Sequence, residues 1–157
     1  MNTPHLSESA ALLNKAVGST LAAILTNCGI SSVTEAPLNL ERINSETFWI
    51  FEMRYSGLIE SKNYLICSES FAKRVTESFV GESEELDRSD FLATAGEILN
   101  MLTGNLLVAF YGDDVGFDLG LPKQREFVPG ELDEFPGQLF SYSSDGDPII
   151  FGVVVSK

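Results

Sequence analysis

The stretch Asp90-Phe-Leu-Ala-Thr-Ala-Gly-Glu-Ile-Leu-Asn-Met-Leu-Thr-Gly104 decides how the rest of the chain is read. At about 100° per residue, a helix through it gathers Phe91, Ala95, Ile98, Leu99 and Leu102 on one side. Asp90, Ala93, Glu97, Asn100 and Gly104 gather on the other. The first set is a core stripe. The second holds a carboxylate and a carboxamide three residues apart in sequence, so both point the same way. Ala93, Gly96 and Gly104 add little bulk around them, which leaves a low rim for the approach of another backbone. Ser89 or Asp87 is placed to cap the helix start. The run Asn105 to Tyr111 can extend it as far as Gly112-Asp113-Asp114.

Upstream, Ser68 caps a shorter predicted helix with a Phe71, Val75, Phe79 stripe, and Gly81 ends it. Gly81 to Arg88 is an acidic, solvated connector. Before it, Thr47 to Tyr55 alternates Trp49, Phe51, Met53 and Tyr55 with Ile50, Glu52 and Arg54, the period of a strand. Ser56-Gly57 turns the chain into a partner strand, Leu58 to Cys67. Trp49 and the phenylalanines are assigned to the core. A first helix starts at Thr3-Pro4 and carries Ala10, Leu13, Val17, Leu21 and Ile24, with Gly29 as its C-cap. Residues 30–45 read as a connection. Asn14 and Gly18 lie on the first helix, but no Glu stands three residues before Asn14. Asn14 is therefore read as a solvated or capping residue and not as a second site.

Downstream, Val115, Phe117, Leu119 and Leu121 alternate with Gly116, Asp118 and Gly120, which predicts a strand ended by Pro122. Residues 123–137 read as a long loop. Leu139 to Ser143 and Pro148 to Val155 form strands joined through Asp145-Gly146, a favoured hairpin turn. The last strand is apolar on both faces, with Gly152 as its interior break. Such a strand is either central in its sheet or an edge that a second chain must cover. The order αββααβββ predicts an α+β domain, 1–157, with a mainly antiparallel sheet and helices packed on it.

Composition bounds the function. Hydrophobic residues make up 44% of the 157, enough for a core. Unbroken apolar runs fall far short of the roughly 20 residues of a membrane span, and the N-terminal stretch has no signal-peptide pattern. The expected location is the cytoplasm. A net charge of −13 repels nucleic acid and anionic lipid, so neither nucleic acid nor membrane is an expected partner. Cys28 and Cys67 lack ligand-spaced companions and are read as buried small hydrophobes. The single histidine, His5, sits near the terminus, which argues against Ser-His-Asp or Cys-His catalysis. Asp113-Asp114 has no further ligand pattern and is read as loop. No glycine-rich nucleotide loop is present.

Glu97-Ile-Leu-Asn100, followed by Met-Leu-Thr-Gly104-Asn105, resembles the E-x-x-N signature of the CheC/CheX/FliY chemotaxis phosphatases. That pattern often carries Asp or Ser where this chain has Ala93, and it has a proline downstream that Pro122 matches in spacing. A single E-x-x-N in a short chain is similar to the CheX branch. The resemblance implies a CheC/CheX-like fold and a phosphatase for the aspartyl phosphate of a CheY-like response regulator. It implies that Asn100 orients the attacking water and that Glu97 docks on the regulator's lysine. It further implies no cofactor of the chain's own, because Mg²⁺ belongs to the regulator, and a homodimer paired through sheet edges. The alternative is a non-catalytic adaptor that holds a receiver domain or a flagellar component through the same helix.

Overall fold

The structure, a computed structural model, describes residues 10–30, 32–81 and 85–155. The Thr3-Pro4 helix start and His5 lie outside the described residues. In chain order the elements are α1 (Ala10–Asn27), β1 (Thr34–Glu35), α2 (Leu40–Asn44), β2 (Phe48–Ser56), β3 (Ser61–Ser68), α3 (Glu69–Val80) and α4 (Arg88–Tyr111). They continue with β4 (Asp118–Leu119), β5 (Lys123–Glu126), a 3₁₀ turn (Pro129–Leu132), β6 (Gln138–Ser144) and β7 (Asp147–Val155). The strands form one sheet in the order β1-β6-β7-β3-β2-β4, with β5 also paired to β2. The pairings are antiparallel. This is the α+β architecture that the order of patterns implied.

Local chemistry sets the boundaries. Asp87, not Ser89, caps α4: its carboxylate accepts the Asp90 N–H at 3.2 Å, and Asp90 Oδ2 accepts the Asp87 N–H at 2.9 Å. This reciprocal capping satisfies two N–H groups that the helix leaves unpaired. Gly112, at φ +85°, ends α4 where a Cβ would be strained. Ser68 Oγ accepts the Phe71 N–H at 3.0 Å and starts α3. Asp145 and Gly146, at φ +50° and +86°, make the two-residue turn between β6 and β7.

The sheet has two buried faces. On the helical side, Phe51, Met53, Leu65, Cys67, Phe151 and Val153 pack with stripes from α1, α3 and α4. On the other, Phe48, Ile50, Ile66 and Ile150 pack under Phe127, with Leu132 and Leu139 alongside. This double burial accounts for the final strand. β7 lies between β3 and β6, inside the sheet. It is apolar on both faces because it is central, so it is not an edge that needs a second chain.

Four other expectations are corrected. Residues 30–45 contain β1 and α2. Only Asp118–Leu119 of the 115–121 stretch is strand, and Leu121 is 87% exposed instead of buried. The 123–137 stretch supplies β5 and the 3₁₀ turn rather than an unstructured loop. In the α3 stripe, Phe71 and Val75 are buried, but Phe79 is 65% exposed. Helix α4 is long and apolar enough by composition to cross a membrane, yet it is the core helix of this fold, with half of its apolar window buried.

Candidate functional site

The site is built on α4, and the sheet decides which way that helix faces. Ala95, Leu99 and Leu102 are fully buried. Thr103, also fully buried, accepts a hydrogen bond at 3.2 Å from Nδ2 of Asn63, an inward-facing residue of β3. Buried polar pairs of this kind fix rotation as well as depth, because a turned helix leaves both partners unsatisfied. On the other flank, a Cβ added to Gly96 would lie 3.5 Å from Pro122 Cβ. The loop between β4 and β5 therefore seats its proline on α4 one turn before Asn100.

So held, α4 turns Glu97 to solvent and leaves Asn100 half-buried beside it. Asn100 Nδ2 stands 3.5 Å from Glu97 Oε1, the long limit of a hydrogen bond. Among the described residues this is the one partner of the carboxamide, so its oxygen is free to accept and its NH₂ is barely engaged. Ala93 is exposed, and nothing lies within 4 Å of a Cβ built on Gly104. Of the low rim read from the sequence, Ala93 and Gly104 are open, whereas Gly96 is buried under Pro122. Asp90 shares the face but serves the N-cap.

The two expected site residues are thus brought together, and other candidates are removed. Asn14 is half-buried and tied down at both ends: Tyr142 Oη donates to its side-chain oxygen at 2.5 Å, and its Nδ2 donates to Glu35 Oε1 at 2.9 Å. Cys28 and Cys67 are buried and unbridged. Burial pushes the Cys67 thiol up to about 12, with the charge of Asp147 adding to it, and burial raises Cys28 as well. Neither is an activated nucleophile. Asp113 and Asp114 lie exposed after α4, and among the described residues no group of three His, Cys, Asp or Glu could hold a metal ion.

Two features escaped the sequence. One is Asn63, whose only signal was a polar residue at an inward position of a strand. The other is a groove of about 390 Å³ between α1, α3 and α4, with Glu97 on its rim and Phe79 and Met101 in its walls. Its signal was the third member of the α3 stripe, which had no core left to enter.

A carboxamide held this way can accept a hydrogen bond from a water and donate one to an anionic oxygen. It cannot take up a proton near neutrality. The arrangement suits a reaction limited by positioning a water molecule, with the carboxylate next to it as a handle for a cation.

The chain is similar to proteins of one family. The family model of the chemotaxis phosphatase CheX matches residues 52–126, a span that contains Glu97, Asn100 and Pro122. The chemotaxis protein CheX from Vibrio vulnificus superposes with a TM-score of 0.67 at 14% identity, covering 94% of this chain and 97% of that one. CheX in the CheX–CheY–BeF₃–Mg²⁺ complex from Borrelia burgdorferi gives 0.63 at 15% identity, with 91% and 94% covered. A CheC-like superfamily protein from Shewanella sp. PV-4 gives 0.63 at 14% identity, with 95% and 99% covered. No curated protein matches the sequence. The family model thus covers just under half of the chain, and the CheC/CheX-like fold that its central helix implied is the fold it has.

Proposed function

We propose that this chain is a phosphatase that accelerates hydrolysis of the aspartyl phosphate on a CheY-like response regulator. The observation that carries the proposal is the pairing of Glu97 and Asn100 on the outer face of a rigidly packed helix, within the span that the CheX family model matches. In the reaction, water attacks phosphorus in line with the departing aspartate carboxylate. The transition state is loose, so orienting the water is much of the task. Asn100 accepts a hydrogen bond from that water through its carbonyl and donates from Nδ2 to a phosphoryl oxygen. Glu97 pairs with a lysine of the receiver and sets the register of α4 against it.

Mg²⁺ enters with the receiver, in keeping with the Borrelia complex, which joins CheX to CheY, BeF₃ and Mg²⁺. The setting we infer is chemotaxis signalling in the cytoplasm. The homodimer implied by the resemblance would have to pair through the short strands at the sheet edges, β1 on one side and β4 with β5 on the other. A light-scattering mass near the 17.1 kDa of one chain at all concentrations would remove it.

Phosphate release from a panel of phosphorylated receivers tests the activity. The expected result is faster release from at least one receiver with wild type and not with Asn100→Ala. Binding without acceleration would leave the adaptor role in its place.

A further inference from the structure

We propose that the groove beside Glu97 is the apolar half of the receiver-docking surface, and that it takes a large apolar side chain adjoining the lysine that Glu97 engages. The inference rests on the phosphatase reading above. The groove runs between the C-terminal ends of α1 and α3 and the middle of α4. Cys28 and Ile98, at 8% and 1% exposed, form its floor. Phe79 and Met101, at 65% and 36% exposed, form its walls. Helical geometry puts Asn100 about 60° to one side of Glu97 and Met101 about 40° to the other. Glu97 therefore stands between the carboxamide and the groove, so a partner touching one reaches the other.

Magnitudes explain why the groove is needed. An exposed ion pair at Glu97 contributes at most about a fivefold factor in affinity. Asn100 makes its bonds to water and phosphoryl oxygen, which favours the transition state more than the encounter. Burying one large apolar side chain contributes a factor of about ten to a hundred. The polar face alone is a poor anchor, and the groove supplies apolar surface beside its carboxylate.

Charge complementarity selects the occupant. Of the residues lining the groove, the charged one is Glu97, an anion. An apolar side chain flanked by a cation matches both features. A second copy of this chain brings its own charge of −13 against the first, which disfavours self-association here. The α3 stripe agrees, because Phe71 and Val75 reach the core and Phe79, in the same row, opens onto the groove.

The test titrates wild type and variants with a receiver loaded with beryllofluoride and Mg²⁺. Phe79→Ser and Met101→Ser should each weaken binding at least tenfold, with melting temperatures close to wild type because both side chains are exposed. Leu58→Ser, at a residue 63% exposed in the β2–β3 turn, should change affinity less than twofold. If Phe79→Ser and Met101→Ser bind within twofold of wild type while Glu97→Ala binds more weakly, the groove is overturned and the phosphatase reading stands. If wild type binds no receiver of the panel, both fail. If light scattering shows that Phe79→Ser shifts a monomer–dimer equilibrium instead, the groove joins two copies of the chain and the proposal is overturned.

Discussion

Asn14 and Asn100 carry the same side chain on two helices that pack on the same face of one sheet, and they have opposite fates. Asn14 has its oxygen taken by Tyr142 Oη at 2.5 Å and its nitrogen by Glu35 at 2.9 Å. Asn100 has one long contact, at 3.5 Å, to its neighbour Glu97. Each has a glycine one turn away that lets a ring seat on the helix: Gly18 under Tyr142, and Gly96 under Pro122. The rings make the difference. The phenol brings a hydroxyl, which ties the first Asn down. The proline has no N–H to give and leaves the second available. A carboxamide on a helix is a structural clamp or a working group according to what its neighbours offer it.

The largest break of this comparison is expected at Asn100. Asn100→Ala should lower accelerated dephosphorylation by about 10²-fold or more, the scale of losing one group preorganised for a transition state. Its melting temperature should stay at the wild-type value. Asn14→Ala should do the reverse. It removes a hydrogen bond to Tyr142 and one to Glu35, and should cost about 1 kcal/mol, a fall of roughly 2–4 °C in melting temperature. Activity per folded molecule should not change. If Asn14→Ala abolished phosphate release while thermal melting stayed normal, the assignment of the two residues would be reversed.

Glu97 comes next. Glu97→Ala should weaken receiver binding by no more than about fivefold at physiological salt, because an exposed pair contributes about 0–1 kcal/mol. Glu97→Lys should weaken it further by placing like charges together. Neither should lower the melting temperature, since Glu97 is exposed and its removal opens no cavity. A lowered melting temperature with unchanged affinity would mean that Glu97 supports the helix and not the partner.

The comparison also marks what the sequence could tell. Glu97 and Asn100 were legible because both lie within one helical turn, where spacing alone fixes direction. The state of Asn14 was not, because its partner Tyr142 is 128 residues away. The same distinction holds for the fold. The hairpin of β2 and β3, the Asp145-Gly146 turn and α4 follow from local period and capping. The stretch from 115 to 137 does not. Its apolar alternation suggested a buried strand, but only Asp118–Leu119 pairs with β2, and Leu121 points to solvent. Lys123–Glu126 has no apolar residue, yet it pairs with β2 along four residues. An edge strand needs only its backbone groups, so side-chain pattern is silent about it. The placement of the last strand stayed open for a related reason: strands with two apolar faces look alike until the sheet order is known.

The finest test lies at the two glycines. Replacing a helical Gly by Ala gains about 0.8–1 kcal/mol of helix propensity where space permits. At Gly96 the new Cβ would meet Pro122 Cβ at 3.5 Å, an ordinary contact. Gly96→Ala should therefore raise the melting temperature by roughly 2–4 °C, and Asn100, on the next turn, should stay active. At Gly18 the new Cβ would lie 3.1 Å from Tyr142 Cε1, so the ring must retreat by a few tenths of an ångström. The bond from Tyr142 Oη to Asn14 resists that retreat, and Gly18→Ala should gain nothing or lose slightly. Removing the Asn14 side chain relieves the resistance, leaving the hydroxyl only its 2.9 Å contact with the Asn14 backbone oxygen. Gly18→Ala should then be better tolerated with Asn14→Ala than alone, a coupling that a double-mutant cycle in chemical denaturation can read. Residues that share no partner add within about 0.3–0.5 kcal/mol. Additivity inside that range would show that the clamp on Tyr142 does not hold the ring, and the contrast between the two asparagines would then rest on hydrogen bonding alone.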